Sequence, residues 1–352
     1  MKNIFKNKII LITGASGTIG SAIVLKILKL QNFKVVRAMS NDENGLHELL
    51  ENIDVNLTSF NLSDRMKKKK FRILYGDIRD YDRCLSATKN VDIVIHAAAM
   101  KHISICEYNP EETIKTNIFG TKNILNACKA NKVRKLIIIS TDKAAYPTND
   151  MGKSKKKAED LALNFNKKLG NSNTKVSCVR FGNVLGSRGS VIPRFIKQIY
   201  LKKTILLSSK NMTRFVMTID DAVRLIFKSL KLMKGNEIFI FKSMYSIKIL
   251  DLAEVLKKFY SKYIKNINIK IIGVNVKEKF SEILMTEKEY KSSIEKNDMY
   301  IINFKRKKIT KKLKYQELKN IDSKYTKSLK KNQMLKILTT NKILSLSKYP
   351  SK

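Results

Sequence analysis

The 352-residue chain has no tryptophan, four cysteines and three histidines, and 71 lysines and arginines outnumber its 30 acidic residues. Each shortage excludes something. Cys84, Cys106, Cys128 and Cys178 are scattered without a close pair, so they frame neither a zinc site nor a disulfide scaffold. His47, His96 and His102 are too few and too dispersed to complete a metal centre, and no metal is expected. No apolar run approaches the roughly 20 residues that span a bilayer. The early run Ile9-Ile10-Leu11-Ile12 passes straight into Thr13-Gly14, which reads as a buried strand entering a turn and not as a secretory leader. The expected location is cytoplasmic, without stable membrane insertion. The formal net charge is +41, but the lysines are spread over the whole chain with abundant isoleucine and asparagine. The densest run, Lys67-Lys68-Lys69-Lys70, precedes a strand and reads as a solvated loop. With no nucleic-acid motif beside it, the charge does not point to a nucleic-acid partner. An anionic small substrate is compatible with it.

What is present is an alternation. Short apolar runs at 8–13, 34–39, 71–75, 92–96, 135–140 and 175–181 read as strands. Helical patterns fill the gaps, one after Gly17 and others near 81–88, 107–130 and 150–169. Segment 41–70 is polar and reads as a helix plus a lysine-rich loop. Such alternation implies an α/β fold, a Rossmann-type doubly wound parallel sheet covered by helices. After residue 182 the pattern changes: glycine and proline punctuate 181–193, a helix follows, Asp220-Asp221 open an amphipathic helix, and 236–241 is a strand. The expected organisation is a dinucleotide-binding domain over 1–181, a smaller, partly interleaved substrate-binding lobe over 182–300, and a lysine-rich extension over 301–352 with a terminal helix.

The segment "ITGASGTIGSAI" places Gly14, Gly17 and Gly20 after a strand and before a helix. Glycines there let the backbone approach a pyrophosphate, and the helix start offers free N–H groups to it. "YGDIRD" follows the third strand, where Asp77 has the chemistry to accept from an adenine amino group. An acid at the end of the second strand would mark NAD and an arginine NADP. The chain reads Arg37-Ala38-Met39-Ser40-Asn41-Asp42, with Arg37 expected on the strand's flank, so the cofactor is NAD or NADP.

Four ordered stretches carry a resemblance: "HAAAMKHISICEYNPEETIKTNIFGTKNILNA", "STDKAAYPTNDMGKSK", "RFGNVLGSRGSVIPRF" and "NMTRFVMTIDDAV". With the glycine turn, they resemble the extended short-chain dehydrogenase/reductases, and more narrowly the UDP-N-acetylglucosamine 4,6-dehydratases of bacterial polysaccharide biosynthesis. The resemblance runs in order from residue 8 to about residue 290. It implies a lyase that removes water from UDP-N-acetylglucosamine to give a 4-keto-6-deoxy sugar, with or without inversion at carbon 5. It also implies a nicotinamide cofactor recycled in each turnover and a homo-oligomer. For the cofactor it implies Gly14, Ser16, Gly17, Thr18, Ile19, Gly20, Ser40, Asp77, Ile78, Ala97, Ala98, Ala99, Lys101 and Lys155. For the nucleotide sugar it implies Lys101, His102, Asn117, Asn183, Arg188, Ser190, Arg214 and Glu278.

Elimination needs an acid beside a base. By resemblance, Asp142 protonates the leaving 6-hydroxyl and Lys143 takes the carbon-5 proton. Burial would keep the acid protonated and the amine neutral. The family's tyrosine-three-residues-lysine pair reads here as Met151 and Lys155. A thioether is no base, but Met151 and Lys155 still share a helix face, and members of the family with Met there include both retaining and inverting dehydratases. The 4-hydroxyl proton then goes to Asp142 through water or through Thr141. Tyr146 lies in the loop before the helix and is not expected to substitute. A second departure is Asn275, where the family has an arginine near the substrate diphosphate; Lys277 or Lys279 would compensate, and Glu278 and Glu282 are retained. Two other readings compete. A nucleotide-sugar 4-epimerase needs no elimination pair, which Asp142-Lys143 argues against. A catalytically silent dinucleotide-binding protein would explain Met151 and Asn275 but not Asp142, Lys143 and Lys155.

Overall fold

The computed structural model describes residues 4–56, 58–60, 63–168, 174–242, 244–274, 277–303 and 321–344. Seven strands form the parallel part of one sheet: β1 (Ile9–Thr13), β2 (Val35–Ser40), β3 (Phe71–Tyr75), β4 (Ile93–His96), β5 (Lys135–Thr141), β6 (Lys175–Phe181) and, later in the chain, β10 (Glu237–Phe241). Between β6 and β10 come β7 (Asn183–Val184), β8 (Thr204–Leu207) and β9 (Thr213–Met217), and after β10 come β11 (Tyr245–Lys248), β12 (Asn268–Ile271), β13 (Ser293–Lys296) and β14 (Met299–Asn303). The large sheet runs β13-β14-β10-β6-β5-β4-β1-β2-β3, with β14 antiparallel to β10 and β13 antiparallel to β14. The central strands are almost unbroken in buried Ile, Leu and Val, as a sheet covered on both faces requires. The order reverses between β1 and β4. Chain connections leave a crevice there, at the carboxyl ends of the strands.

Helices cover the sheet: α1 (Thr18–Leu30), α2 (Glu43–Val55), α3 (Asp64–Lys70), α4 (Tyr81–Thr88), α5 (Ile103–Tyr108), α6 (Pro110–Ile114), α7 (Thr121–Ala130) and α8 (Asp150–Lys168). The lysine run at 67–70 is the last turn of α3 and not a loop, because cations complement the negative end of a helix. The expected single helix over 107–130 is divided. Pro110 starts a new helix after Asn109, and Lys115–Gly120 forms a π-helical turn. The later helices are α9 (Val191–Lys202), α10 (Ile219–Leu232), α11 (Ile249–Tyr260), α12 (Glu287–Lys291) and α13 (Lys331–Thr340). A second, smaller apolar cluster gathers α9, α11, α13 and the small sheets β11-β9-β7 and β12-β8, around Phe195, Ile199, Leu252 and Leu256. The chain after residue 182 thus contributes both this cluster and three strands of the main sheet. The four cysteines are buried free thiols. No described helix is long and apolar enough to cross a membrane.

Candidate active site

The crevice begins at the glycine turn. Gly14 takes φ +66°, a left-handed conformation that favours glycine. A Cβ on Gly14 would lie 2.6 Å from the Ala98 nitrogen, and one on Gly20 would lie 2.1 Å from the Gly14 oxygen. The turn therefore rests directly on the backbone after β4, and α1 rests on the turn. Gly17 caps α1 with no side-chain bond, which leaves first-turn N–H groups for an anion. A dinucleotide's pyrophosphate fits this cradle, since any side chain at Gly14 or Gly20 would fill it. On the adenosine side, Ser16 and Ser40 share a 2.8 Å hydrogen bond. Asp77 accepts from Asn41 at 3.1 Å and from the Arg79 side chain at 2.9 Å. Burial opposes its ionisation, but these donors hold its carboxyl below the usual carboxylate range. Ile78 is buried against Gly120. Arg37 gives its guanidinium to the Ala87 and Lys89 carbonyls at 2.7 and 2.8 Å, on the flank and not in the crevice.

Arg188, expected at the nucleotide sugar, turns its guanidinium to Asp42 and Glu48 of the segment after β2. Gly186 and Gly189, both at φ +70°, turn its loop back over the crevice. The Arg188 N–H donates to Thr18 Oγ1 at 3.0 Å, and Lys101 Nζ donates to the Arg188 carbonyl at 2.7 Å. The guanidinium then reaches Asp42 at 3.1 Å and Glu48 at 3.8 Å. These acids at the start of α2 draw it to the dinucleotide side. His102 caps α5 beneath the same loop, and a Cβ on Gly189 would meet its ring at 2.3 Å. Ser190 starts α9 with its hydroxyl oxygen buried and unpartnered among the described residues.

Asn117, expected near the sugar and, by resemblance, to make a backbone contact, makes that backbone contact. It is buried in the π-helical turn with its amide fully used. Its oxygen accepts from Met100 N at 2.8 Å, and its nitrogen donates to the Met100 carbonyl and to Ser154 Oγ at 3.0 and 2.9 Å. Ser154 donates on to the Met151 carbonyl at 2.8 Å. Asn117 therefore ties the loop after β4 to the helix that carries Met151 and Lys155. Beside it, His96 bridges Thr13 at 2.7 Å and Thr121 at 3.2 Å. Thr121 donates to the Asn117 carbonyl, so it accepts from His96 Nε2–H, and Nδ1 accepts from Thr13. Burial, with Lys155 adding, pushes the imidazole down to about 3, so it is neutral.

The acid–base centre forms where four distant segments meet. Asp142 and Lys143 begin just past β5, capped by Thr141, whose hydroxyl donates to Asp142 Oδ1 at 2.9 Å. Lys143 Nζ has three acceptors: Asp142 Oδ1 at 3.0 Å, Asn183 Oδ1 of β7 at 3.0 Å, and Glu282 Oε1 at 3.3 Å. Glu282 also faces Lys279 at 3.4 Å. Arg214 of β9 donates to the Thr213 and Phe280 carbonyls and stands 3.7 Å from Glu278. Asp142 is 0% exposed, and its Oδ2 has no hydrogen-bond partner among the described residues. Burial raises the Asp142 carboxyl, Lys143 opposes this, and Glu282 reinforces it. Lys143 does not follow its expectation. Burial pulls it down, but Asp142 and Glu282 together hold the ammonium above the usual lysine value. Glu282 is opposed by burial yet held low by Lys143, Lys279 and Arg214. Burial thus favours the protonated form of Asp142, while the flanking cations favour the ionised form of Glu282 and the two carboxylates the charged form of Lys143.

Met151 lies in the first turn of α8, 5% exposed. The next residue, Gly152, is so close that a Cβ would lie 2.8 Å from the Lys143 carbonyl. Lys155 is half-buried and donates to the Ile139 carbonyl at 2.6 Å, and desolvation lowers its pKa. Tyr146 is turned away, its phenol oxygen accepting from Glu287 N at 3.4 Å. Asn275 lies outside the described residues. Glu282, noted in the sequence only as retained in the segment expected near the diphosphate, is brought to the Lys143 amine. Its signal was the acidic spacing of "EKFSE", but only the fold brings it to Lys143.

The strand order and the glycine turn at its reversal define a Rossmann-type dinucleotide-binding fold. The chain matches the family described as polysaccharide biosynthesis protein over residues 10–304, and it belongs to that family. It is 39% identical over 302 residues to the UDP-N-acetylglucosamine 4,6-dehydratase (inverting) of Campylobacter jejuni, covering 85% of this chain and 84% of that one. It is 37% identical over 302 residues to the UDP-glucose 4-epimerase of Rickettsia bellii, covering 85% of this chain and 83% of that one. The solved structure of Pen from Bacillus thuringiensis superposes with a TM-score of 0.87 at 39% identity, covering 97% of this chain and 99% of that one. A dTDP-glucose 4,6-dehydratase from Streptomyces venezuelae, solved with NAD and TYD bound, shares the fold at a TM-score of 0.67 and 20% identity, covering 77% of this chain and 86% of that one. The chain is a homologue of nucleotide-sugar 4,6-dehydratases and epimerases.

Proposed function

We propose that this protein is a UDP-N-acetylhexosamine 4,6-dehydratase, acting on UDP-N-acetylglucosamine with a bound nicotinamide dinucleotide. The observation that carries the reading is the adjacent Asp142–Lys143 pair, the acid fully buried and the amine 14% exposed, with one carboxylate oxygen unpartnered among the described residues. Water loss across carbons 5 and 6 needs an acid and a base within reach of one sugar, and this pair supplies both. A nicotinamide dinucleotide held at the glycine turn would supply reversible hydride transfer, taking hydride from carbon 4 and giving it back at carbon 6. Asp142 holds the proton that the leaving 6-hydroxyl needs. Lys143, once it has given up its own proton, takes the one on carbon 5. Thr141 donates to Asp142 Oδ1 and so fixes the acid; the 4-hydroxyl proton, which a protonated Asp142 cannot take, passes to solvent, and solvent reprotonates Asp142 after the elimination. Asn183 fixes the amine; in this reading Arg214 binds the diphosphate and Lys155 the nicotinamide ribose. Met151 keeps this side of the site apolar and moves no proton.

The competing reading is 4-epimerisation, favoured by the 37% identity to UDP-glucose 4-epimerases. Mass spectrometry separates the two. A dehydratase turns UDP-N-acetylglucosamine into a product lighter by one water, whereas a 4-epimerase gives an isomer of unchanged mass. Unaltered mass with an inverted carbon 4 would overturn the proposal.

A further inference from the structure

The Lys143 ammonium is enclosed by two carboxylates, although the elimination asks for only one acid beside the base. Asp142 is its chain neighbour. Glu282 comes from the segment before α12, where Ser323 fixes its backbone: the Glu282 N–H donates to Ser323 Oγ, and the Ser323 N–H donates to the Glu282 carbonyl, both at 2.9 Å. The Glu282 side chain is 4% exposed and lies between two cations, Lys143 at 3.3 Å and Lys279 at 3.4 Å. The other charged groups facing this centre are Arg214 from β9 and Glu278, which pair at 3.7 Å. Asn183 from β7 is neutral, and Lys155 of α8 is turned to the Ile139 carbonyl. With Asp142 Oδ2 unpartnered and Glu282 doubly paired, the two carboxylates are not equivalent.

We propose that Glu282 is a positioning residue for the acid–base pair: as the ionised partner of Lys143 it leaves the cluster's carboxylic proton on Asp142 Oδ2, facing the substrate. This rests on the dehydratase reading. It assigns Glu282 no contact with the sugar. Its negative charge raises the proton affinity of both neighbours, so it sets the pH range in which Asp142 is still protonated while Lys143 has become a free amine.

The test is the variant Glu282→Gln, which keeps the shape and removes the charge. The pH profile of kcat/KM for UDP-N-acetylglucosamine is expected to move as a whole to lower pH, by about one unit, because both limbs lose the same stabilising charge. Glu282→Asp should restore most of the shift. A structural role would lower the rate without moving the limbs, and unmoved limbs would overturn the proposal. A second readout needs no turnover: acetylation of Lys143 by acetic anhydride, followed by peptide mass spectrometry across pH. Its midpoint should fall in Glu282→Gln and rise in Lys279→Gln, which removes a cation from the same carboxylate. The Lys279 variant keeps the test decisive if Glu282→Gln does not fold. An inactive wild-type protein in which these opposite shifts occur would sink the dehydratase reading alone. Equal midpoints in wild type and both variants would sink the role of Glu282 alone.

Discussion

Two charge clusters each set a cation between two carboxylates, one wholly buried and one partly open with Lys279 and Arg214 beside it, and they have opposite character. In the first, Arg180 of β6 lies between Glu159 of α8 and Glu289 of α12. Its five N–H groups are all engaged: Nε and one Nη2 hydrogen with Glu159, the other Nη2 hydrogen and one on Nη1 with Glu289, and the last with the Leu284 carbonyl, at 2.6 to 3.0 Å. In the second, Lys143 satisfies its three acceptors but leaves Asp142 Oδ2 with none. The difference is one of use. A guanidinium keeps its proton under any condition a protein meets, so the Arg180 cluster is fixed in charge and ties the helix bearing Lys155 to the segment bearing Glu282. An amine and two carboxylates can exchange protons, and the proposed function uses the oxygen that is unpartnered among the described residues.

The same kind of substitution should therefore act differently in the two clusters. Asp142→Asn replaces a neutral acid by its near-isostere. It should lower turnover by about 10²- to 10⁴-fold while leaving the thermal midpoint nearly unchanged, as steady-state kinetics and differential scanning calorimetry would show. Arg180→Ala strands two buried carboxylates and should lower stability by about 3–5 kcal/mol, measured by urea unfolding. Equal effects of both changes on activity and on stability would erase the distinction.

Smaller effects are expected away from the clusters. Gly14→Ala places a methyl group against the Ala98 backbone and should weaken dinucleotide binding by about tenfold or more, an effect of about 1.4 kcal/mol, read by isothermal titration with NAD and with NADP. His96 supplies a pH effect. Its folded value, about 3, lies below that of the unfolded chain, so the unfolded state binds the extra proton. Stability is full above about pH 6.5 and falls with pH down to about 3, by at most about 1.4 kcal/mol per unit. Replacing His96 by Gln should flatten that slope in acid unfolding curves.

Much of this architecture was legible in the chain. The strands announced themselves as β-branched apolar runs, and β3 and β6 begin and end where the pattern does. The helix over 107–130 was not read correctly, because its breaks depend on Pro110 and on the π-helical turn that seats Asn117. The lysine run misled through its charge, which suits a helix end as well as a loop. Within the site, Asp142 and Lys143 were visible as neighbours. The approach of Glu282 and the turning of Arg188 toward Asp42 are tertiary facts that no spacing encodes. Lys143 was expected neutral because burial alone was weighed; the second carboxylate reverses the outcome.

The most direct measurement is turnover of UDP-N-acetylglucosamine in deuterated water, read by proton NMR at carbon 5. On the proposed reading the product is a 4-keto-6-deoxy sugar carrying deuterium at carbon 5, since Lys143 would remove and return a proton that exchanges with solvent, and Lys143→Met should abolish that label. A keto-sugar with hydrogen retained at carbon 5, or an unchanged sugar from protein shown to hold its dinucleotide, would contradict the role given to the buried pair.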